Sequence, residues 1–464
     1  MSLDLQRMKN VHLVGIGGCG MSGIAKVLHE MGFKVSGSDV KEGVNTIRLK
    51  DLGVRIYIGH EGSQVRDADV LVYSSAVRPD NPELKEAEAK GIRVVKRAEV
   101  LAWIMERSKN RVAVAGTHGK TTTTAMTAKV LEAAKLKPTY LIGCDMDYEG
   151  GNARLGGGKY VVAEADESDS SFLCYSPTVE IVTNIEADHM EHFGSMEELT
   201  ATFEQFLDCL SETGLVVMDG TDPNNRQLIA KRRERFVTYG LDPSMEYSAG
   251  QLSFENFSSR YVLSRGGKEL GPVELSVPGW QNIVNSLAVF AVAFEFGLDF
   301  SAVAGALRTF VGARRRFSTV GEQDGVLVID DYAHHPTEIR ATLKAARSGW
   351  PARRIICIFQ PHRYTRTMIL KDKFADAFGD ADRVIITDIY AASENPIPGI
   401  SGKTIADLLA PDKTTFVPKK EQIAEQLVKE LRPGDIVMTL GAGDVFTVGK
   451  ELLARLKLKN EVPA

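Results

Sequence analysis

No apolar run in this chain approaches the ~20 residues that a bilayer-spanning helix needs, and the first ten residues, MSLDLQRMKN, carry no apolar leader. No membrane partner is expected. Positive charge is not in excess either. Lys and Arg number 56 against 61 Asp and Glu, leaving a net charge of −5 and a pI near 6.1, which speaks against general nucleic-acid binding. Cysteine is sparse: Cys19, Cys144, Cys174, Cys209 and Cys357 are scattered, with no CxxC pair and no His/Cys cluster. That usage suits a reducing cytoplasm and gives no sign of a zinc site. Low-complexity tracts and short-period repeats are missing as well. What remains is an ordinary globular composition, 44% hydrophobic and 25% charged. At 464 residues the chain is too long for one typical core.

From Val11 to about Arg107, short apolar runs (VHLVGI, VRIYI, ADVLVYSS, GIRVV) alternate with helix-like segments such as Met21–Met31 and Pro82–Lys90. This is the pattern of βαβ units around a parallel sheet. Arg107–Asn110 reads as a polar linker. A second alternation starts at Arg111, with strands near Tyr160–Ala165 and Glu180–Asn184 and helices near Met196–Leu210 and Asn282–Phe296. Between Glu246 and Pro278 the runs shorten and alternate around Gly/Ser turns, which predicts a small antiparallel sheet. A third alternation (VLVID, RIICIF, RVIITD, DIVMTL) runs from Gly325 to the end. The expected fold is α/β in three domains: a Rossmann-like N-terminal domain, a central P-loop ATPase domain with a small antiparallel sheet, and a Rossmann-like C-terminal domain.

The most informative stretch is Val112–Thr124, VAVAGTHGKTTTT. A β-branched strand runs into Gly116-Thr117-His118-Gly119-Lys120-Thr121-Thr122 and then a helix. Such a turn aims bare N–H groups and the positive end of a helix at one point, which suits phosphate. Lys120 adds a mobile cation, and Thr121 offers a hydroxyl that could hold Mg²⁺ beside a triphosphate. Val114 stands where the full GxxxxGK[ST] pattern has its first glycine, so the motif is a shortened form.

A second glycine loop, Gly15-Ile-Gly17-Gly18-Cys-Gly20, also follows a strand and opens a helix, and Asp39 ends the next strand nineteen residues later. This is the dinucleotide fingerprint, with an acid in position for a ribose hydroxyl. Read alone it indicates a nicotinamide oxidoreductase, yet a UDP-sugar also brings a pyrophosphate and a ribose. Ser74 and Ser75 fall at a strand's carboxyl end, where open α/β sheets bind ligands.

Acids gather near the phosphate loop. Strand Tyr160–Ala163 ends in Glu164, Asp166, Glu167 and Asp169, carboxylates of the kind that hold Mg²⁺. A second strand ends in Asn184-Ile-Glu186-Ala-Asp188-His189, where the histidine is open to a metal, a phosphate or a purely structural role. In the last third, Asp330-Asp331-Tyr332-Ala333-His334-His335 and His362-Arg363-Tyr364-Thr365-Arg366 each follow a strand. These two loops are expected side by side. Their arginines could clamp a carboxylate and stabilise phosphoryl charge. A nucleotide switch without catalysis is a further reading of the same loops.

Together GIGGCGMSGIA, SGSD, AGTHGKTTTT, AEADESD, TNIEADHMEHFG, DDYAHHPTE and FQPHRYTRT closely resemble the Mur ligases, in order and across all three segments. The resemblance implies a UDP-sugar-binding domain over 1–107, an ATP-binding domain over 108–318 and an amino-acid-binding domain over 319–464. It implies a cytoplasmic ligase of peptidoglycan precursor synthesis, a monomer or weak homodimer, using ATP and Mg²⁺. Within the family the motifs are most similar to those of a member that joins L-alanine to the lactyl carboxylate of UDP-N-acetylmuramate through an acyl phosphate.

Carried over by position, Gly116 to Thr122, Asn282, Asn285, Arg316 and Asp331 bind ATP, and Thr121, Glu164 and His189 hold Mg²⁺. Gly15, Gly17, Gly18, Gly20, Met21, Ser22, Asp39, Ser74 and Ser75 bind the UDP-sugar. His334, His335, His362, Arg363 and Tyr364 line the amino-acid side. Lys120, His189, Arg366 and His335 attend the reacting groups. Family members that add later residues carry a lysine soon after the metal histidine, and none stands between His189 and Asp208. Where the family has a histidine in Pro-Gly-x-His-Asn, this chain has Gln281, which can hydrogen-bond but cannot carry charge.

Overall fold

Three sheets organise the chain. The computed structural model describes residues 5, 8–144, 146 and 151–461; positions 1–4 and 6–7 of the stretch read above for a leader lie outside them. The first sheet holds β1 (Asn10–Val14), β2 (Lys34–Asp39), β3 (Arg55–Ile58), β4 (Val70–Tyr73) and β5 (Arg93–Lys96), all parallel in the order β3-β2-β1-β4-β5. The order reverses beside β1, so the loops after β1 and β4 flank a ligand crevice.

The second sheet contains β6 (Asn110–Ala115), β7 (Thr139–Leu141), β8 (Ala153–Arg154), β9 (Tyr160–Glu164), β10 (Val179–Val182), β11 (Leu215–Asp219), β12 (Phe236–Gly240), β13 (Tyr247–Glu255), β14 (Ser258–Arg265) and β15 (Lys268–Leu275). Its centre runs β10-β6-β9 in parallel. Val112 to Ala115 are fully buried, as a central strand covered on both faces requires. The antiparallel ribbon β13–β15 is present where expected. It continues the edge of the central sheet through the pairs Tyr239–Tyr247 and Gly240–Ser248, so it is not a separate sheet. Its tip reaches the C-terminal domain: Asn256 N donates to Gly349 O over 3.0 Å, and Phe257 meets Trp350 edge-on at 4.8 Å.

The third sheet is β16 (Ser318–Gln323), β17 (Val326–Asp331), β18 (Ile355–Phe359), β19 (Arg383–Ile386), β20 (Thr414–Phe416) and β21 (Ile436–Leu440), ordered β16-β17-β21-β18-β19-β20. β21 therefore separates β17 from β18, and the two loops expected side by side stand one strand apart. They face each other across Gly441, which follows β21 and carries no side chain to block them.

The N-terminal and central domains share one apolar core, in which Ile24, Leu28 and Trp103 pack with Leu141, Ala153 and Phe172. A buried hydrogen-bonded pair also braces the N-terminal domain. His12 Nε2 lies 2.5 Å from Glu83 Oε2, both side chains fully covered, and Glu83 Oε1 accepts from Ser38 Oγ and His60 Nδ1 at 2.6 Å.

Candidate functional site

Three strand ends converge because β6, β9 and β10 are neighbours. The phosphate loop leaves β6, the acids leave β9, and Thr183 to His189 leave β10. Asn184 grips the loop on both sides of one residue: its Oδ1 accepts from His118 N (2.9 Å) and its Nδ2 donates to His118 O (3.0 Å). Thr183 Oγ1 donates to the same carbonyl over 2.6 Å. Gly116 and Gly119 have φ of +123° and +85°. A Cβ on Gly119 would sit 2.6 Å from Asn285 Oδ1, so glycine is needed both for the turn and for this contact. The helix Lys120–Ala133 follows, its first amides free of intrahelical partners and aimed at the same space.

Lys120 Nζ donates to Gly116 O (2.5 Å), Thr117 O (3.2 Å) and Glu167 Oε1 (2.7 Å). Burial alone would lower its pKa, but Glu167, Asp166 and Glu164 outweigh that and hold the ammonium above its ordinary value. Glu167 is shifted up, chiefly by burial, and its Oε2 is buried without a hydrogen-bond partner. Thr121 Oγ1 lies 3.0 Å from both Glu164 oxygens, and Gly143 N donates to Glu164 Oε2. His189 stands apart from this pair. It sits 3.7 Å from Asp188 and 3.8 Å from Glu191, and no hydrogen bond or ion pair joins it to Thr121 or Glu164.

A cavity of about 610 Å³ opens beside the loop, with His118, Thr121, Asn282, Asn285 and Arg316 in its wall. Gln281 folds over Gly279 and leaves its Oε1 buried and unpartnered there. Asn282 Nδ2 donates to Pro278 O, and Asn285 Nδ2 lies 3.4 Å from Asn282 Oδ1. Asp331 also borders the cavity, but its oxygens are taken by Ala333 N (2.7 Å) and Phe317 N (2.8 Å). Burial pushes its carboxyl up to about 6 despite Arg316.

The C-terminal domain is docked against these groups. Glu338 Oε1 lies 3.3 Å from His118 Nδ1 and 3.5 Å from Arg316 Nη1. Thr337 Oγ1 donates to Glu186. Arg366 places two nitrogens on Asp188 Oδ1 at 2.8 and 3.2 Å, and donates through Nη1 to His362 Nδ1 at 3.1 Å. Arg363 pairs with Glu191 over 2.7 Å. Arg363 and His189 both carry positive φ, +69° and +54°, as the N-caps of the helices Tyr364–Phe374 and Met190–Phe193. Left-handed backbone at two facing non-glycine residues is strain of the kind held at working sites. Burial and the neighbouring cations push His334 down to about 4 and His362 to about 3, so both imidazoles are neutral.

Two expected placements change. His335 does not share the side of His334, His362, Arg363 and Tyr364. It caps the helix Pro336–Gly349 and turns to the phosphate loop, its ring centroid 4.7 Å from that of His118. Met21 and Ser22 turn into the core, Met21 among apolar neighbours and Ser22 Oγ on Cys19 O, because both lie on the buried face of the helix Cys19–Glu30. Gly15, Gly17, Gly18 and Gly20 do form a loop at the end of β1, next to half-buried Ser74 and exposed Ser75. Asp39 Oδ2 accepts from Gly17 N over 2.9 Å, bracing that loop from below.

Glu186, Asp188, Glu338 and Arg97 were not singled out from the sequence. Arg97 lies against Gly20 and reaches Asp166 Oδ2 at 3.5 Å, adding a cation between the two glycine loops. Their signal was present only as acids inside TNIEADH and DDYAHHPTE; Arg97 opens a helix and had none.

Comparison with known proteins covers nearly the whole chain. Residues 10–109 match the family description "Mur ligase family, catalytic domain", residues 114–293 "Mur ligase middle domain" and residues 315–443 "Mur ligase, glutamate ligase domain". The UDP-N-acetylmuramate–L-alanine ligase of Pelotomaculum thermopropionicum is 47% identical over 466 residues, covering 99% of this chain and 100% of that protein. That of Geotalea daltonii is 45% identical, covering 97% and 99%. Among solved structures, the UDP-N-acetylmuramate–alanine ligase of Thermotoga maritima superposes with a TM-score of 0.83 at 34% identity, covering 98% of this chain and 100% of that one. A murein peptide ligase of Psychrobacter arcticus shares the fold, with a TM-score of 0.72 at 24% identity over 98% and 100%.

Proposed function

The chain belongs to the Mur ligase family, and from that premise we propose that it joins L-alanine to the lactyl carboxylate of UDP-N-acetylmuramate at the expense of ATP, in the cytoplasm. The observation that carries this reading is the phosphate loop in the wall of a cavity that Arg316 and, from the third domain, Glu338 also line. A nicotinamide oxidoreductase would leave that second phosphate loop without a role.

A carboxylate is a poor electrophile. Transfer of the γ-phosphoryl group onto it breaks the bond to ADP and gives an acyl phosphate. The alanine amine then attacks the acyl carbon, phosphate leaves with the bonding electrons, the nitrogen gives up a proton, and the amide remains. Lys120 neutralises phosphate charge and the loop amides orient it. Arg366 and Arg363 offer guanidinium groups to the alanine carboxylate and the departing phosphate. The hydroxyl of Thr121, the carboxylate of Glu164 and the unpartnered Glu167 Oε2 are hard oxygen donors that fit Mg²⁺. Thr121, Glu164 and His189 would hold it, where it supplies further charge neutralisation. On the sugar side, Gly15 to Gly20 and Arg97 suit a pyrophosphate. We infer domain limits at 107/108 and 318/319, in the short links before β6 and at the start of β16.

The test is phosphate release from ATP and Mg²⁺ with UDP-N-acetylmuramate, with and without L-alanine, followed by product mass. Release that needs both, with a product heavier by one alanine residue, supports the proposal. A product formed only with a tripeptide would move the function to a sister ligase.

A further inference from the structure

We propose that His118, Glu186 and His335 form a binding site for a divalent cation of the zinc kind, built across the boundary between the central and C-terminal domains. One potential ligand atom from each lies within 4.8 Å of the others. Residue spacing does not reveal it, because the two histidines are 217 positions apart and no cysteine is involved.

Each ligand is held by its backbone. The His118 peptide is gripped by Asn184 and Thr183. Glu186 N donates to Thr117 Oγ1 over 2.8 Å, and its carboxylate accepts from Thr337 Oγ1. His335 is the N-cap of the helix Pro336–Gly349, which sets its backbone, while its ring is held by two long contacts. Closing the group around an ion with bonds of about 2.0 Å in a tetrahedron brings the ligand atoms to about 3.3 Å from one another. His118 Nε2 already lies 3.2 Å from Glu186 Oε2, so His335 makes most of the movement. Its present contacts, Ala187 O and Thr337 N, are both 3.3 Å long and readily exchanged.

The surroundings complete the site. With Nε2 on the ion, His118 Nδ1–H points at Glu338 Oε1, 3.3 Å away. A carboxylate behind a ligating histidine fixes the ring and its tautomer. The cation takes the place of the proton that His118 shares with Glu186. Two imidazoles and one carboxylate favour zinc, cobalt or nickel over magnesium, whereas the oxygens of Thr121 and Glu164, with a single imidazole from His189, suit magnesium better. Because His335 belongs to the third domain, an ion here ties that domain to the phosphate loop. It also sits in the wall of the cavity that His118 and Glu186 line.

The experiment is a cobalt titration of the full-length protein without nucleotide, in excess Mg²⁺, followed by visible ligand-field absorption. One Co²⁺ per chain is expected, with the intense band of a low-coordinate site that Zn²⁺ abolishes. His118→Asn and His335→Asn should each weaken binding by about tenfold or more, and Glu164→Gln should leave it unchanged. X-ray absorption on the wild-type zinc protein should count two imidazoles, which needs no variant to fold. Absence of Co²⁺ binding, full binding in both histidine variants, or fewer than two imidazoles on zinc would overturn the proposal.

Discussion

Glu338 touches His118 across a domain boundary: a carboxylate on the helix that opens the third domain's site lies 3.3 Å from a ring nitrogen of the phosphate loop. Glu186 faces the other ring nitrogen at 3.2 Å. Burial opposes a charge on His118, but the two carboxylates overcome it and raise the imidazole to about 9. The folded value lies above the ordinary 6.5, so the stabilisation is complete below about 6.5 and is lost as the pH rises through about 9. Thermal unfolding of the wild type and of His118→Asn, followed from pH 6 to pH 10, should show a gap that closes toward the alkaline end. A gap independent of pH would refute the charged pair.

Lys120→Ala should cut turnover by about 10³-fold while UDP-sugar affinity stays near the wild-type value. Calorimetry with UDP-N-acetylmuramate beside steady-state rates separates the two. Near-normal turnover would remove the loop from the phosphate site.

Glu164→Gln keeps a hydrogen-bond acceptor for Thr121 but withdraws a charge. The Mg²⁺ concentration for half-maximal rate should rise about tenfold or more, as expected when a charged metal ligand is neutralised. A metal titration that superposes on the wild type would exclude Glu164 as a ligand.

Arg366 is almost wholly buried and holds Asp188 and His362 together. Arg366→Ala takes from the largely buried Asp188 its strongest partner, costing about 3 kcal/mol, and should lower kcat by about 10²-fold. Arg366→Lys should recover little, since one ammonium lacks the fork that reaches both partners. Chemical denaturation and kcat measured on both variants check this.

Glu83→Ala should destabilise the N-terminal domain by about 3 kcal/mol, because it leaves His12 buried without its partner. Hydrogen bonds from His12, Ser38 and His60 hold Glu83 below the ordinary 4.5 against the effect of burial. The stability it contributes is present above pH 4.5 and disappears in acid. Urea midpoints of wild type and variant should converge as the pH falls below that value.

Much of this was legible in the sequence because it is local. The strand–turn–helix around Gly116–Thr122 and the glycine loop after Val14 are set by short-range backbone requirements, and each stands where its pattern indicates. The helix Trp280–Glu295 began two residues before its expected start, since Gly279 with φ of +96° ends the preceding turn. What sequence spacing could not convey was strand order. β21 arrives last and inserts between β17 and β18, a non-local choice that separates two strand-end loops consecutive along the chain. For the same reason His335 resembled its neighbour His334, although a helix cap points the two rings at different domains. His12 read as one more strand residue, because its partner Glu83 is 71 positions away.

The ribbon tip gives the third domain a second anchor, of a different character from the first. At the site the contacts are polar and border the cavity; at Phe257, Trp350 and Phe317 they are aromatic, with rings 4.8 to 6.2 Å apart. Ion pairs exchange readily with water and salt, while a stack of rings yields only by exposing apolar surface. The two fastenings therefore answer to different conditions: salt weakens the polar one and leaves the ring stack at Phe257 in place.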